Sequence, residues 1–101
     1  MTKRELILEM IEYLDTHNSC GLCVAFAYVM KIDMGCTNDM LKVLPEIRKY
    51  KPVNHGQFWF GNNTNPITAT NGKQFFGNEA RLRLLVELLG EMTEEQLNVL
   101  V

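Results

Sequence analysis

The segment Cys20-Gly21-Leu22-Cys23 combines two thiols with a glycine and opens an apolar run that reaches Met30. A helix that begins there directs its unbonded N–H groups and its positive dipole end at whatever lies in front of Gly21. Such a position activates a thiol and also attracts an anion. The segment is therefore at once a candidate nucleophile, a candidate metal clip and a candidate ligand site.

The sequence does not offer a complete set of ligands for a metal site. Cys36 has no nearby partner, and neither His17 nor His55 stands at a zinc-ligand spacing from the Cys-x-x-Cys pair. Three cysteines, an odd number without a secretory signal, are typical of reduced thiols. We therefore expect no metal ion, no disulfide framework and no cofactor.

The stretch Cys20–Phe26 resembles the papain-like cysteine protease signature C-G-[SA]-C-[WY], which leads into the helix that carries the nucleophile. The resemblance implies that Cys23 is the nucleophile and that His55 is the base, oriented by Asn62 or Asn63. Compact relatives of the NlpC/P60 type have roughly this domain size. A small cysteine hydrolase that uses Cys23 and His55 is one candidate function.

The sequence departs from the papain-like pattern in three ways, one of which is that very little sequence is left to build the sheet that holds the base. Leu22 and Val24 replace its small and aromatic residues, and His17 stands where papain-like enzymes place the glutamine of the oxyanion hole. A buried cysteine that packs as a small apolar residue is the commoner alternative to a nucleophile.

A second resemblance covers more of the chain. Gly21-Leu22-Cys23 stands at an apolar helix start, Trp59-Phe60 follows a Lys-Pro break, and Arg81 opens a leucine-rich helix near the C-terminus. This order is similar to that of a widespread type of small phage accessory protein. Some phage proteins of this size sequester the nucleotide messengers of bacterial defence systems such as Thoeris and CBASS. The resemblance implies a homo-oligomeric anti-defence protein that holds a cyclic ADP-ribose-type nucleotide or a cyclic dinucleotide without cleaving it.

The residues permit that role, since a nucleotide site needs an aromatic plane, cations or N–H groups for phosphate, and amides for ribose. Trp59 offers the plane, and Arg81 beside a helix N-terminus at Asn78 offers phosphate contacts. A buried Trp59 in the core and a solvated or acid-paired Arg81 are equally ordinary alternatives. The predicted ligand-binding set is Gly21, Cys23, Arg48, His55, Trp59, Asn78 and Arg81.

A third class of function is a protein-binding inhibitor of a host enzyme, which needs a contiguous apolar patch on the surface. The chain has ten Lys and Arg and twelve Asp and Glu, which gives a formal net charge of −2. A protein with this net charge has no overall positive field, so we do not expect it to bind duplex nucleic acid. Met1–Glu5 runs into an amphipathic stretch with acids throughout, which is neither a signal peptide nor a membrane span. We expect one domain, residues 1–101, in the cytoplasm, or in the host cytoplasm if a phage encodes it.

Helical periodicity dominates the first half of the chain. Thr2 and Glu5 form a capping box ahead of a helix over residues 3 to 16. A second, nearly all-apolar helix is expected over about residues 22–32, with Gly35 placed to end it. A third begins near Asn38 and is interrupted at Leu44-Pro45, where proline either kinks it or starts a new turn.

The period changes after Gln57. Residues 57–60 are strand-like, and Ile67–Thr70, Asn71-Gly72 and Lys73–Phe76 have the composition of a hairpin with a two-residue type I′ turn. Asn78 is expected to cap a helix over residues 79–89 with Gly90 at its end, and a last turn should follow at residues 93–96. These elements predict an α+β domain, mostly helical, with a small antiparallel hairpin inserted before the last long helix.

Overall fold

The computed structural model describes residues 1–17, 21–33, 37–50, 66–68, 72–76 and 79–101. These residues are mostly helical, with a two-stranded antiparallel sheet before the last long helix, which confirms the predicted α+β class. The elements are α1 (Lys3–Thr16), α2 (Leu22–Met30), α3 (Thr37–Val43), a 3-10 helix (Pro45–Tyr50), β1 (Ile67–Thr68), β2 (Gln74–Phe75), α4 (Ala80–Glu91) and α5 (Glu94–Leu97). None of the described helices is both long enough and apolar enough to cross a bilayer.

Helix α1 has the predicted bounds because its start is fixed locally. The Glu5 backbone N–H donates to the Thr2 hydroxyl at 3.2 Å, and the Thr2 N–H donates to the Glu5 carboxylate at 2.9 Å. This reciprocal pair satisfies two donors that the first turn would otherwise leave unbonded. The buried stripe of α1 follows the helical period, and it consists of Leu6, Ile7, Met10 and Leu14.

Helix α2 ends earlier than the sequence suggests. It stops at Met30 because Lys31 adopts a left-handed conformation with φ of 56°. The Ile32 N–H then donates to the Ala27 carbonyl at 3.1 Å, which closes the helix end. The expectation that α2 runs to Ile32 was wrong, and Gly35 lies outside the described residues.

The proline at position 45 separates two helices. Helix α3 ends at Val43, and Pro45 begins the 3-10 helix, so the second of the two predicted outcomes is correct. The Lys3 ammonium contacts both carboxylate oxygens of Glu46, at 2.8 and 3.0 Å, and both side chains are largely buried. This ion pair ties the 3-10 helix to the start of α1.

The hairpin forms, but with a different register from the predicted one. Ile67 pairs with Phe75 and Thr68 with Gln74, whereas a two-residue turn at Asn71-Gly72 would pair Ile67 with Phe76. In the observed register both Ile67 and Phe75 are buried, while Phe76 is 46% exposed. Since directly opposed residues share one face of a sheet, burial of the apolar pair selects this register.

Helix α4 is displaced by one or two residues from its predicted position. Its N-cap is Glu79, not Asn78, and Asn78 itself lies outside the described residues. The helix also passes through Gly90 and ends after Glu91. A glycine within a helix costs only about 1 kcal/mol, so tertiary contacts of the last turn can override it.

The two ends of the chain meet beside α1. Helix α5 forms where the last helical turn was predicted, and a capping box between Thr93 and Gln96 starts it. Beyond it, Leu100 forms an antiparallel bridge with Thr2. Helix α1 thus contacts α2, α4 and α5, and its buried stripe forms part of the core.

Candidate functional site

Arg81 is a buried cation at the start of α4. It lies in the first turn of α4, its side chain is 4% exposed, and no other charged residue in the described part of the chain is classed as buried. The alternative in which Arg81 is a solvated surface residue is therefore wrong. A guanidinium removed from water requires compensating polar groups or an anion, because its desolvation is costly.

The neighbouring arginine on α4 has a different environment. Arg83 is about two thirds exposed, and its guanidinium lies 3.8 Å from the Glu79 carboxylate in an i, i+4 pair. Such exposed pairs contribute little to stability. Two arginines two positions apart thus differ in burial, which makes Arg83 a matched reference for Arg81.

The start of α2 combines a glycine with a thiol. Gly21 is the N-cap in an extended conformation, and as a glycine it has no side chain with which to cap the helix. Cys23 is a half-buried thiol in the first turn. The structure therefore places Cys23 close to a helix N-terminus, which is the position that both the hydrolase and the ligand-binding hypotheses expect.

Arg48 is an exposed residue of the 3-10 helix, and the last two residues of that helix contact the far end of α4. The Tyr50 hydroxyl donates to Glu91, and the Lys49 ammonium forms an ion pair with the same carboxylate. Glu91 is ten residues after Arg81, or about 15 Å along the helix axis. These contacts bring the 3-10 helix to the C-terminal end of α4, away from Arg81.

The Tyr50–Glu91 contact shifts both protonation equilibria. Burial raises the pKa of the Tyr50 hydroxyl well above its usual range, and the hydrogen bond to Glu91 adds to that effect. Hydrogen bonds from Lys49 and then Tyr50 lower the pKa of the Glu91 carboxyl. At neutral pH the cluster is therefore a phenol and an ammonium on one carboxylate, an anchoring contact between the 3-10 helix and α4.

Three predicted site residues, His55, Trp59 and Asn78, lie outside the described residues, so the Cys23–His55 pair and the stacking role of Trp59 stay predictions. Cys20 and Cys36 lie outside them as well. Among the residues that are described, no three His, Cys, Asp or Glu side chains are grouped so that they could hold a metal ion.

Sequence reasoning missed an aromatic cluster between α1 and α2. The rings of Tyr13 and His17 stack with centroids 4.2 Å apart and planes 8° apart. Tyr13 also stacks on Tyr28, at 4.5 Å and 29°. The i, i+4 spacing of Tyr13 and His17 was visible in the sequence, but the contact with Tyr28 depends on how α2 packs on α1. These rings line a cleft of about 500 Å³.

Comparison of this chain with protein-family models, curated proteins and solved structures finds no match. The function must therefore be argued from the geometry of its own residues.

Proposed function

We propose that this protein binds a phosphorylated nucleotide signal and holds it without cleavage, in the manner of a phage anti-defence protein. The observation that carries the proposal is the burial of Arg81 in the first turn of α4. A cation in that position opposes the helix dipole, whereas an anion beside it is favoured by both the guanidinium and the helix N–H groups.

The chemistry of the guanidinium suits a phosphate ligand. Its planar fork matches two phosphate oxygens, and charge-assisted bonds of this type are about twice as strong as neutral ones. The Arg81 side chain is 4% exposed, so water would compete little with a phosphate for its hydrogen bonds. The start of α2, where the N-cap Gly21 has no side chain, is a second source of N–H donors, with Cys23 in the same first turn.

The proposal includes a ligand class and an assembly. The ligand is a cyclic ADP-ribose-type nucleotide or a cyclic dinucleotide, the protein acts as a homo-oligomer in the host cytoplasm, and Trp59 stacks on a base. The competing function is hydrolysis by Cys23 and His55, which the position of Cys23 in the first turn of α2 supports.

A retention experiment separates the two functions. The purified protein is incubated with each nucleotide, freed of unbound ligand, and heated, and the released material is identified by mass spectrometry. Release of intact nucleotide is the expected result. A chemically altered nucleotide would favour the hydrolase, and no retained nucleotide from either class would contradict the proposal.

Matched variants assign the site within the same experiment. Arg81→Lys should retain much less nucleotide because an ammonium cannot reproduce the planar fork. Arg83→Lys changes the same residue type in an exposed position of the same helix and should retain as much as the parent protein. Equal retention by both variants would place the ligand elsewhere.

A further inference from the structure

The cleft between the C-terminal halves of α1 and α2 has the character of a binding site separate from Arg81. It has a volume of about 500 Å³. Two aromatic rings, two carboxylates, an ammonium and an imidazole lie on its walls: Tyr13, Tyr28, Glu9, Glu12, Lys31 and His17.

The aromatic wall is a stack of three rings. The ring centroids of His17 and Tyr28 lie 4.2 and 4.5 Å from the ring centroid of Tyr13. Two rings this close would overlap each other on one face of Tyr13, so His17 and Tyr28 lie on its opposite faces. Tyr28 is therefore the outer ring of the stack, and it is 66% exposed. Its position is held from one side by Tyr13, while most of its surface remains accessible to a planar ligand group.

The charged wall favours a cation. Glu9 and Glu12 are three residues apart on α1, and Tyr13 follows Glu9 by four, so the three side chains share one face of the helix. The ion pairs found within the described part of the chain use other carboxylates, those of Glu46, Glu79, Glu87, Glu91 and Glu94. With Lys31 on the opposite rim, the ionised groups of the cleft sum to one negative charge when His17 is neutral.

From this arrangement we infer that the cleft binds an arginine side chain presented by a partner protein. A guanidinium is planar, so it stacks on Tyr28, and it is cationic, so it pairs with the carboxylates of Glu9 and Glu12. A nucleotide phosphate in the same cleft would face both carboxylates. The site is independent of the nucleotide proposal because none of its residues belongs to the predicted nucleotide site.

Three capped peptides of identical length test the inference: Gly-Arg-Gly, Gly-Lys-Gly and Gly-citrulline-Gly. Citrulline keeps the planar group without the charge, and lysine keeps the charge without the plane. Titration is followed by NMR on the ring protons of Tyr13 and Tyr28. The arginine peptide should saturate with a dissociation constant on the order of millimolar, as expected for one exposed cation–π contact with weak ion pairs. The lysine peptide should bind several-fold more weakly, and the citrulline peptide at least about tenfold more weakly.

Variants locate the contact. Tyr28→Ala should weaken the arginine peptide at least about fivefold, while Tyr28→Phe should bind nearly as well as the parent. Glu9→Gln combined with Glu12→Gln should weaken it several-fold and make binding less sensitive to salt. Val86→Ala and Glu95→Gln change exposed residues outside the cleft and should leave binding unchanged.

Three results would overturn the inference. The first is equal affinity for the arginine and citrulline peptides. The second is unchanged affinity of Tyr28→Ala for the arginine peptide. The third is a titration with AMP that shifts the same ring protons more strongly than the arginine peptide does. A failure of this site would leave nucleotide retention through Arg81 intact. Conversely, Arg81→Lys should not alter peptide binding.

Discussion

Replacement of Arg81 by alanine tests its burial and its proposed role together. The side chain is 4% exposed, so the variant removes two buried methylenes, worth about 0.8 kcal/mol each. It also removes the polar contacts of a buried guanidinium, worth about 1.5–3 kcal/mol. The free energy of unfolding should fall by about 3–4.6 kcal/mol, which for a chain of this size lowers the melting temperature by about 12–37 °C. Arg83→Ala, which loses an exposed contact, should change the melting temperature by less than about 4 °C.

Ligand affinity is then measured on variants that remain folded. Calorimetric titration of Arg81→Lys with the retained nucleotide, well below its melting temperature, should show at least about tenfold weaker binding than the parent, because the bidentate contact is lost. Arg81→Ala, if folded at the titration temperature, should lose about 2–4 kcal/mol of binding free energy.

The melting and titration results test the burial of Arg81 and the position of the anion site separately. If Arg81→Ala and Arg83→Ala melt at the same temperature, the burial of Arg81 is wrong. If Arg81→Lys is folded and binds the nucleotide like the parent, the burial argument stands but the anion site is not at Arg81. The basic 3-10 helix with Arg48 then becomes the next candidate.

Three further predictions concern other parts of the chain. Cys23→Ala should leave nucleotide binding within about tenfold, because a half-buried thiol contributes at most one ordinary packing or hydrogen-bond term, whereas loss of all activity in a folded variant would favour the hydrolase. Thr2→Ala should lower the free energy of unfolding by about 1 kcal/mol through loss of the α1 cap, seen as a melting temperature about 4–8 °C lower by circular dichroism; an unchanged melt would show that the cap is dispensable. Because the folded-state pKa of Glu91 is lowered, its stabilising effect is present above the ordinary glutamate pKa of about 4.3 and is lost as pH falls through the lower folded value. Urea unfolding of Glu91→Gln across that range should show a flatter acid limb than the parent, and an identical limb would contradict the assignment.

Features of this fold that depend only on neighbouring residues are predictable from the sequence alone. Thr2 and Glu5 sit three positions apart, so the capping box and the start of α1 follow from local geometry. Pro45 breaks the helical hydrogen-bond ladder wherever the rest of the chain lies. The mostly helical class with one hairpin follows from periodicities of the same local kind.

The hairpin register, the aromatic stack and the burial of Arg81 depend on contacts between residues that are distant in the sequence. The hairpin register was set by joint burial of Ile67 and Phe75, which the turn composition does not encode. The stack of Tyr28 on Tyr13 exists only because α2 packs on α1. The burial of Arg81 is the clearest case, since the same residue type is exposed at Arg83, two positions along the same helix. Local propensity is nearly the same for both positions, and the difference in solvation comes from which side of α4 the rest of the fold covers.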